Sequence, residues 1–170
     1  MAQGRNRVYE SHGPVGQLAN SLLAHAEVNA LVGLDPSRRY EDHVLNTTLE
    51  PCVLCVGAAV MATVGRIRYA GADPYGGGAG GLVAVNAHIA RVPFQLDGPR
   101  GDAFGTLGSA LLLAFFLRRN PSGHVVQSYA ERQPALTAVA EAMLDAGAPE
   151  AAAAGVPLVD ALAGFWTALV

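Results

Sequence analysis

The chain has 170 residues, of which 51% are apolar and 15% charged, with a net charge of −3. This predicts one domain with a real core, alone or with a small appendage, and argues against disorder. The longest apolar run, residues 110–117, falls far short of the roughly 20 residues that span a bilayer. Residues 1–7 lack the apolar segment of a secretory signal, and the acidic balance opposes a basic nucleic-acid-binding coat.

In chain order, residues 7–11 can form a strand, and residues 13–20, with Gly13, Pro14 and Gly16, predict a loop. Ala26, Ala30 and Leu34 stand at helical spacing before Asp35-Pro36, so residues 25–34 predict a helix. Residues 43–48 are β-rich. Residues 51–64 predict a helix with Pro51 in its first turn, where a missing N–H costs nothing, and Gly65 as its end. Residues 66–70 alternate as a strand does. Gly76–Gly81 has no phosphate-loop follow-on and reads as a flexible surface loop or a pocket rim. A further strand is expected at 92–96. A strongly apolar helix is expected at 103–119, stopped by Asn120-Pro121-Ser122-Gly123. Residues 124–130 read as a strand or extended segment, and 133–146 and 157–169 as two helices. All 11 basic residues are arginine, a pattern that composition explains as readily as anion binding.

Two short pieces carry chemistry: His25-Ala26-Glu27, and Thr48-Leu49-Glu50-Pro51-Cys52-Val53-Leu54-Cys55. One imidazole and two thiols make three ligands for a tetrahedral zinc whose fourth position stays open to water, the mark of a catalytic site. Cys52 and Cys55, at i and i+3 in the first helical turn, can point to one side, where the helix N-terminus favours thiolates. His25 is then a ligand, while Glu27 stops short of the metal and faces its water. Zinc lowers the pKa of that water toward about 7. Glu27 takes the proton, the hydroxide attacks an electrophilic ring carbon, and Glu27 protonates the ring nitrogen and the departing amine. The Cys52 backbone N–H, free at a helix start, can also donate there. A lone Cys-x-x-Cys is often instead a redox pair or a structural half-site. A redox pair has no use for His-Ala-Glu. A structural zinc needs a fourth ligand from His12, His43, His88, His124 or an acid. Two cysteines this close fit a reduced, cytoplasmic setting better than a disulfide staple.

At these residues the sequence resembles the zinc-dependent cytidine-deaminase-like superfamily, with its H-x-E…P-C-x-x-C signature. His25-Ala26-Glu27-Val28-Asn29-Ala30-Leu31 and Thr47-Thr48-Leu49-Glu50-Pro51-Cys52-Val53-Leu54-Cys55 are similar to the branch of tRNA adenosine deaminases, guanine deaminases and bacterial nucleoside deaminases. Gly65–Ala70, Asp73 and Gly76–Gly81 continue the likeness. The resemblance covers residues 4–120. It implies an α/β fold: a three-layer α/β/α arrangement with a mixed sheet. Only three residues precede Gly4-Arg5-Asn6-Arg7, so the first helix and first edge strand of that fold are expected to be missing. It implies His25, Cys52 and Cys55 as ligands of one Zn2+, Glu27 as the proton shuttle, and Asn6, with Ala26 and Pro51, as substrate contacts. Residues 1–120 are then the deaminase domain, and 121–170 a mainly helical extension packed on it.

The expected activity is hydrolytic deamination of a purine or pyrimidine base or nucleoside. The alternative substrate is a tRNA wobble adenosine. Arg118-Arg119 end the last family-like helix where tRNA editors carry basic residues, but a helix C-terminus accounts for that pair as well. The 14 acids outnumber the 11 arginines, so tRNA is the less favoured partner. A third reading, of another class, is a non-catalytic zinc scaffold. Glu27 opposes it, because a structural zinc gains nothing from an acid beside open water. No membrane contact is expected. A homodimer is, from family habit and from sheet surface left uncovered.

Overall fold

The computed structural model describes residues 1–163. They form an α/β structure, as expected: α1 (Ala26–Leu31), β1 (Val44–Leu49), α2 (Val53–Met61), β2 (Arg66–Gly71), α3 (Ala79–Val85), a 3₁₀ turn (Ile89–Arg91), β3 (Gln95–Asp97), α4 (Ala103–Arg119), α5 (His124–Arg132), α6 (Pro134–Asp145), α7 (Ala148–Ala153) and α8 (Leu158–Leu162). The strands make one sheet in the order β1-β2-β3. The described chain divides into two compact units, residues 1–69 with 76–98, and residues 70–75 with those from 99 onward. Among the described residues, no helix is long and apolar enough to cross a membrane.

The first unit holds the motif residues. In β1, β-branched and apolar residues alternate in exposure: Val44, Asn46 and Thr48 are exposed, and Leu45, Thr47 and Leu49 are half-buried. Ile67 and Tyr69 of β2 are buried and Arg68 is exposed. β2 runs parallel to β3, with Ile67 opposite Leu96. The ladder is laced by Arg66 with Gln95, and by Arg68 Nε donating to Asp97 Oδ2 at 2.9 Å. α2 turns Cys55, Val56, Ala59 and Val60 inward. Val56 and Ala59 join Tyr40, Val64, Ile67, Tyr69 and Ala79 in one apolar core.

α2 ends earlier than expected. Thr63 has φ +62, a left-handed conformation that is costly for a β-branched residue. Its Oγ1 accepts from Tyr40 N at 3.0 Å, and that bond helps hold it there. Gly65 follows in a place where a Cβ would lie 1.6 Å from Glu41 O, so only glycine passes.

The second unit is built on α4, which starts where expected because Asp102 accepts from Phe104 N (3.1 Å) and Gly105 N (3.3 Å) as its N-cap. Leu107, Ala110, Leu113 and Ala114 pack with Val126, Tyr129, Leu136, Ala140 and Met143. Gly71, the last residue of β2, lies close against α4: a Cβ there would sit 2.5 Å from Ser109 N. Ser109 Oγ donates to Ala72 O at 2.8 Å, and the buried Tyr129 hydroxyl donates to the same oxygen at 3.3 Å.

Several elements differ from their sequence patterns. Residues 7–11 are not a strand. Arg7 O accepts from Glu10 N and Asn20 N, and Arg7 N donates to Ala24 O, so the segment turns back on its own loop. Residues 124–130 are not extended but lie in α5, because helical spacing puts Val126 and Tyr129 into the core together. α3 begins inside the glycine run, with Gly78 as N-cap and with Gly78 and Ala79 buried rather than on the surface. α7 forms in the alanine-rich chain between the two expected C-terminal helices. Of the helix expected at 157–169, α8 covers Leu158–Leu162, and residues 164–170 lie outside the described residues.

Candidate metal centre

Two helix starts present the candidate donors. His25 is the N-cap of α1, with φ −71 and ψ 155. Cys52 is the N-cap of α2, with φ −70 and ψ 173, and Cys55 lies in that helix's first turn. Both N-caps have extended backbone, and neither side chain makes a capping hydrogen bond. Both are therefore free to turn toward a shared point.

His25 Nδ1 lies 3.5 Å from Cys52 Sγ and 3.5 Å from Cys55 Sγ, and the two sulfurs are 3.6 Å apart. A tetrahedral zinc with bonds of about 2.3 Å to sulfur and about 2.0 Å to nitrogen separates its sulfurs by about 3.8 Å, and sulfur from nitrogen by about 3.5 Å. The triangle therefore has the size of one zinc face, and donor type and spacing fit one Zn2+ per chain. Cys55 is fully buried, and His25 and Cys52 are half-buried, so the face is open on one side.

The two thiols, neither of them in a disulfide, titrate as a pair. The hydrogen bond from Cys55 pulls the Cys52 thiol down to about 5, aided by backbone N–H donors and the His25 charge and opposed by burial. The same hydrogen bond pushes Cys55 far up, and burial and the Glu27 charge add to it. The site thus keeps one thiolate ready and a second proton for a metal to displace.

Glu27 stands in the first turn of α1, outside the three-donor group. Its Oε2 accepts from Cys55 Sγ at 3.4 Å, and its Oε1 accepts from Thr47 Oγ1 at 3.2 Å. The candidate substrate residues are distributed differently. Asn6 is exposed, and its Oδ1 accepts from Val8 N at 3.1 Å in a local turn. Ala26, half-buried, opens α1 between His25 and Glu27. Pro51 is buried, and its carbonyl accepts from Gly78 N at 2.9 Å.

Residues 1–71 match the family model of the cytidine and deoxycytidylate deaminase zinc-binding region. The superfamily resemblance seen in the sequence holds over that segment. A tRNA(Ile)-lysidine synthase of Deinococcus radiodurans is 42% identical over 65 residues, 36% of this chain and 11% of that protein. The enzyme of the same name from Deinococcus deserti is 42% identical over 59 residues, 34% of this chain and 11% of its own length. The chain thus spans only a small part of either relative. A solved structure from work on A-to-I editing by tRNA:A34 deaminases at the wobble position of transfer RNA aligns over 57% of this chain and 72% of its own, at 27% identity and a TM-score of 0.44.

Four residues to which sequence reasoning assigned no role shape the segment that matches the family model. The Asn29 side chain, only 3% exposed, donates to Arg5 O and Leu18 O (both 3.1 Å) and accepts from Leu18 N (2.7 Å). It clamps residues 5 and 18 against α1. Gly4 lies so flat on the same helix that a Cβ would meet Ala26 O at 2.3 Å. Glu50 Oε1 accepts from Ala79 N at 3.3 Å, while Gly78 bonds Pro51 and a Cys52–Gly77 bridge flanks them, so the glycine run buttresses the cysteine arm. Thr47 is the fourth. Its only sequence signal is a polar residue in the inward row Leu45, Thr47, Leu49.

Proposed function

We propose that this protein is a hydrolytic deaminase of a purine or pyrimidine base or nucleoside, working in the cytoplasm, where its two thiols stay reduced. The observation that carries this reading is Glu27: an acid beside a His-Cys-Cys zinc face but not within it. His25, Cys52 and Cys55 would hold the ion. A zinc bound there supplies water of lowered pKa at its fourth position.

The rest is done by the chain. Glu27 receives a water proton at Oε2, the oxygen on the cysteine side, and passes it to the ring nitrogen beside the attacked carbon. It then takes the second proton and delivers it to the exocyclic amine. The C–O bond forms, the C–N bond breaks, and water and amine leave as ring carbonyl and ammonia. Asn6, Ala26 and Pro51 are proposed to line the substrate. For Asn6, the Nδ2 end is the one left by its turn bond. For Pro51, whose carbonyl is taken by Gly78, the contact is through the ring. α2 exposes Val53, Leu54 and Met61, the apolar stripe on which we propose that a homodimer closes.

An ammonia-release screen across guanine, cytosine, adenine, their nucleosides and an anticodon stem-loop, with zinc measured on the same sample, tests the reading. Release from a base or nucleoside supports it. Release from the stem-loop alone, with binding that weakens steeply as salt rises, would move the substrate to tRNA. Release from none would leave zinc a scaffold role.

A further inference from the structure

We infer that Thr47 is a positioning residue for Glu27, setting which way its carboxylate faces. The inference rests on the proposed role of Glu27. Strand alternation puts Thr47 in the inward row of β1 between Leu45 and Leu49, where an apolar residue is expected. A hydroxyl there needs partners, and Thr47 Oγ1 has three: Leu49 O at 2.7 Å, Leu49 N at 3.3 Å and Glu27 Oε1 at 3.2 Å. The two Leu49 bonds tie the hydroxyl to its own strand. Its single hydrogen can serve only one acceptor at a time, so Glu27 shares it with the Leu49 carbonyl.

The effect on Glu27 is geometric. The last torsion of a glutamate is broad and roughly two-fold, so the carboxylate has no preferred facing of its own. Here its two oxygens have different neighbours, Thr47 on one side and Cys55 on the other. Oε1 is anchored to the sheet, and Oε2 is left on the side of the cysteines. A proton carrier must lie within hydrogen-bond reach of the groups it serves, so loss of the Thr47 anchor costs turnover rather than metal or substrate binding.

Thr47→Val keeps the shape and removes the hydroxyl, and Thr47→Ser restores it. The expected result is a Thr47→Val protein with its full zinc content and an unchanged KM, whose kcat for ammonia release falls on the order of tenfold to a hundredfold. Thr47→Ser should recover most of that loss. A second readout is the infrared carboxylate stretch of Glu27, identified as the band lost in Glu27→Gln. It should shift in Thr47→Val and return in Thr47→Ser. Wild-type kcat and an unshifted band in Thr47→Val would overturn the inference, as would Thr47→Ser being as impaired as Thr47→Val. If the wild-type protein releases ammonia from nothing in the screen, the deaminase reading falls by itself. The infrared band then decides the placement: a reversible shift upholds it, and no shift overturns it. Should Thr47→Val not fold, Thr47→Ala is read in the same way.

Discussion

Glu27 Oε2 lies 3.4 Å from Cys55 Sγ, yet the carboxylate is not part of the group formed by His25, Cys52 and Cys55. The acid is adjacent to the donors without being one of them. Glu27→Gln should therefore leave zinc content unchanged and lower ammonia release by about a hundredfold to ten-thousandfold, the usual contribution of a positioned acid–base group. Metal analysis and steady-state rates on one preparation check this. Loss of zinc along with activity would instead make Glu27 a ligand.

His25→Ala and Cys52→Ser each remove one corner of the 3.5–3.6 Å triangle. Each variant should bind little zinc after dialysis where the wild type holds one ion per chain. Activity should be lost in proportion to metal, and a chelator should do the same to the wild type. Retention of full zinc by either variant would mean that the ion sits elsewhere.

The metal-free protein should carry one thiolate at neutral pH. Cys52 is pulled down to about 5 and Cys55 is pushed up. For Cys52 the folded value lies below the ordinary thiol value of 9.0. Its contribution to stability is thus present above that ordinary value and is lost as pH falls through about 5. Thiolate absorbance in the ultraviolet should show one group titrating near pH 5 and no second one below pH 9. Two equal steps near the ordinary value would contradict the pairing.

Asn29→Ala should destabilise the protein by about 1–3 kcal/mol, because the buried Asn29 side chain is lost with its bonds to Leu18 N and to the carbonyls of Arg5 and Leu18. Denaturant melts read this directly. Zinc affinity should fall as well, since the same helix carries His25 at its N-cap.

Gly65→Ala is expected to be more damaging. Its Cβ would lie 1.6 Å from the Glu41 carbonyl oxygen, so backbone must move. The cost should reach at least about 3 kcal/mol, the upper end of overpacking penalties, seen as a lower Tm. A melt indistinguishable from wild type would show that the Thr63–Gly65 turn is not held as tightly as this contact requires.

The sequence alone determined the reactive constellation, because the donors come in two compact motifs whose spacing follows from local helix geometry. His25 and Cys52 sit at helix starts and Cys55 one turn on, and no long-range fact was needed to select them. β1, β2 and α4 were legible for the same reason: strand alternation and a capped apolar run are local signals. Tertiary structure decided the rest. Residues 124–130 read as a strand or extended segment, but α5 forms because its helical face brings Val126 and Tyr129 into one core. Thr47 reaches Glu27 across 20 positions of sequence, and Asn29 reaches Arg5 across 24. Such bonds depend on which elements pack together, which no local pattern encodes. The donor set was therefore written in residue identity and spacing, whereas the bond from Thr47 to the Glu27 carboxylate and the bracing of α1 by Asn29 came only with folding.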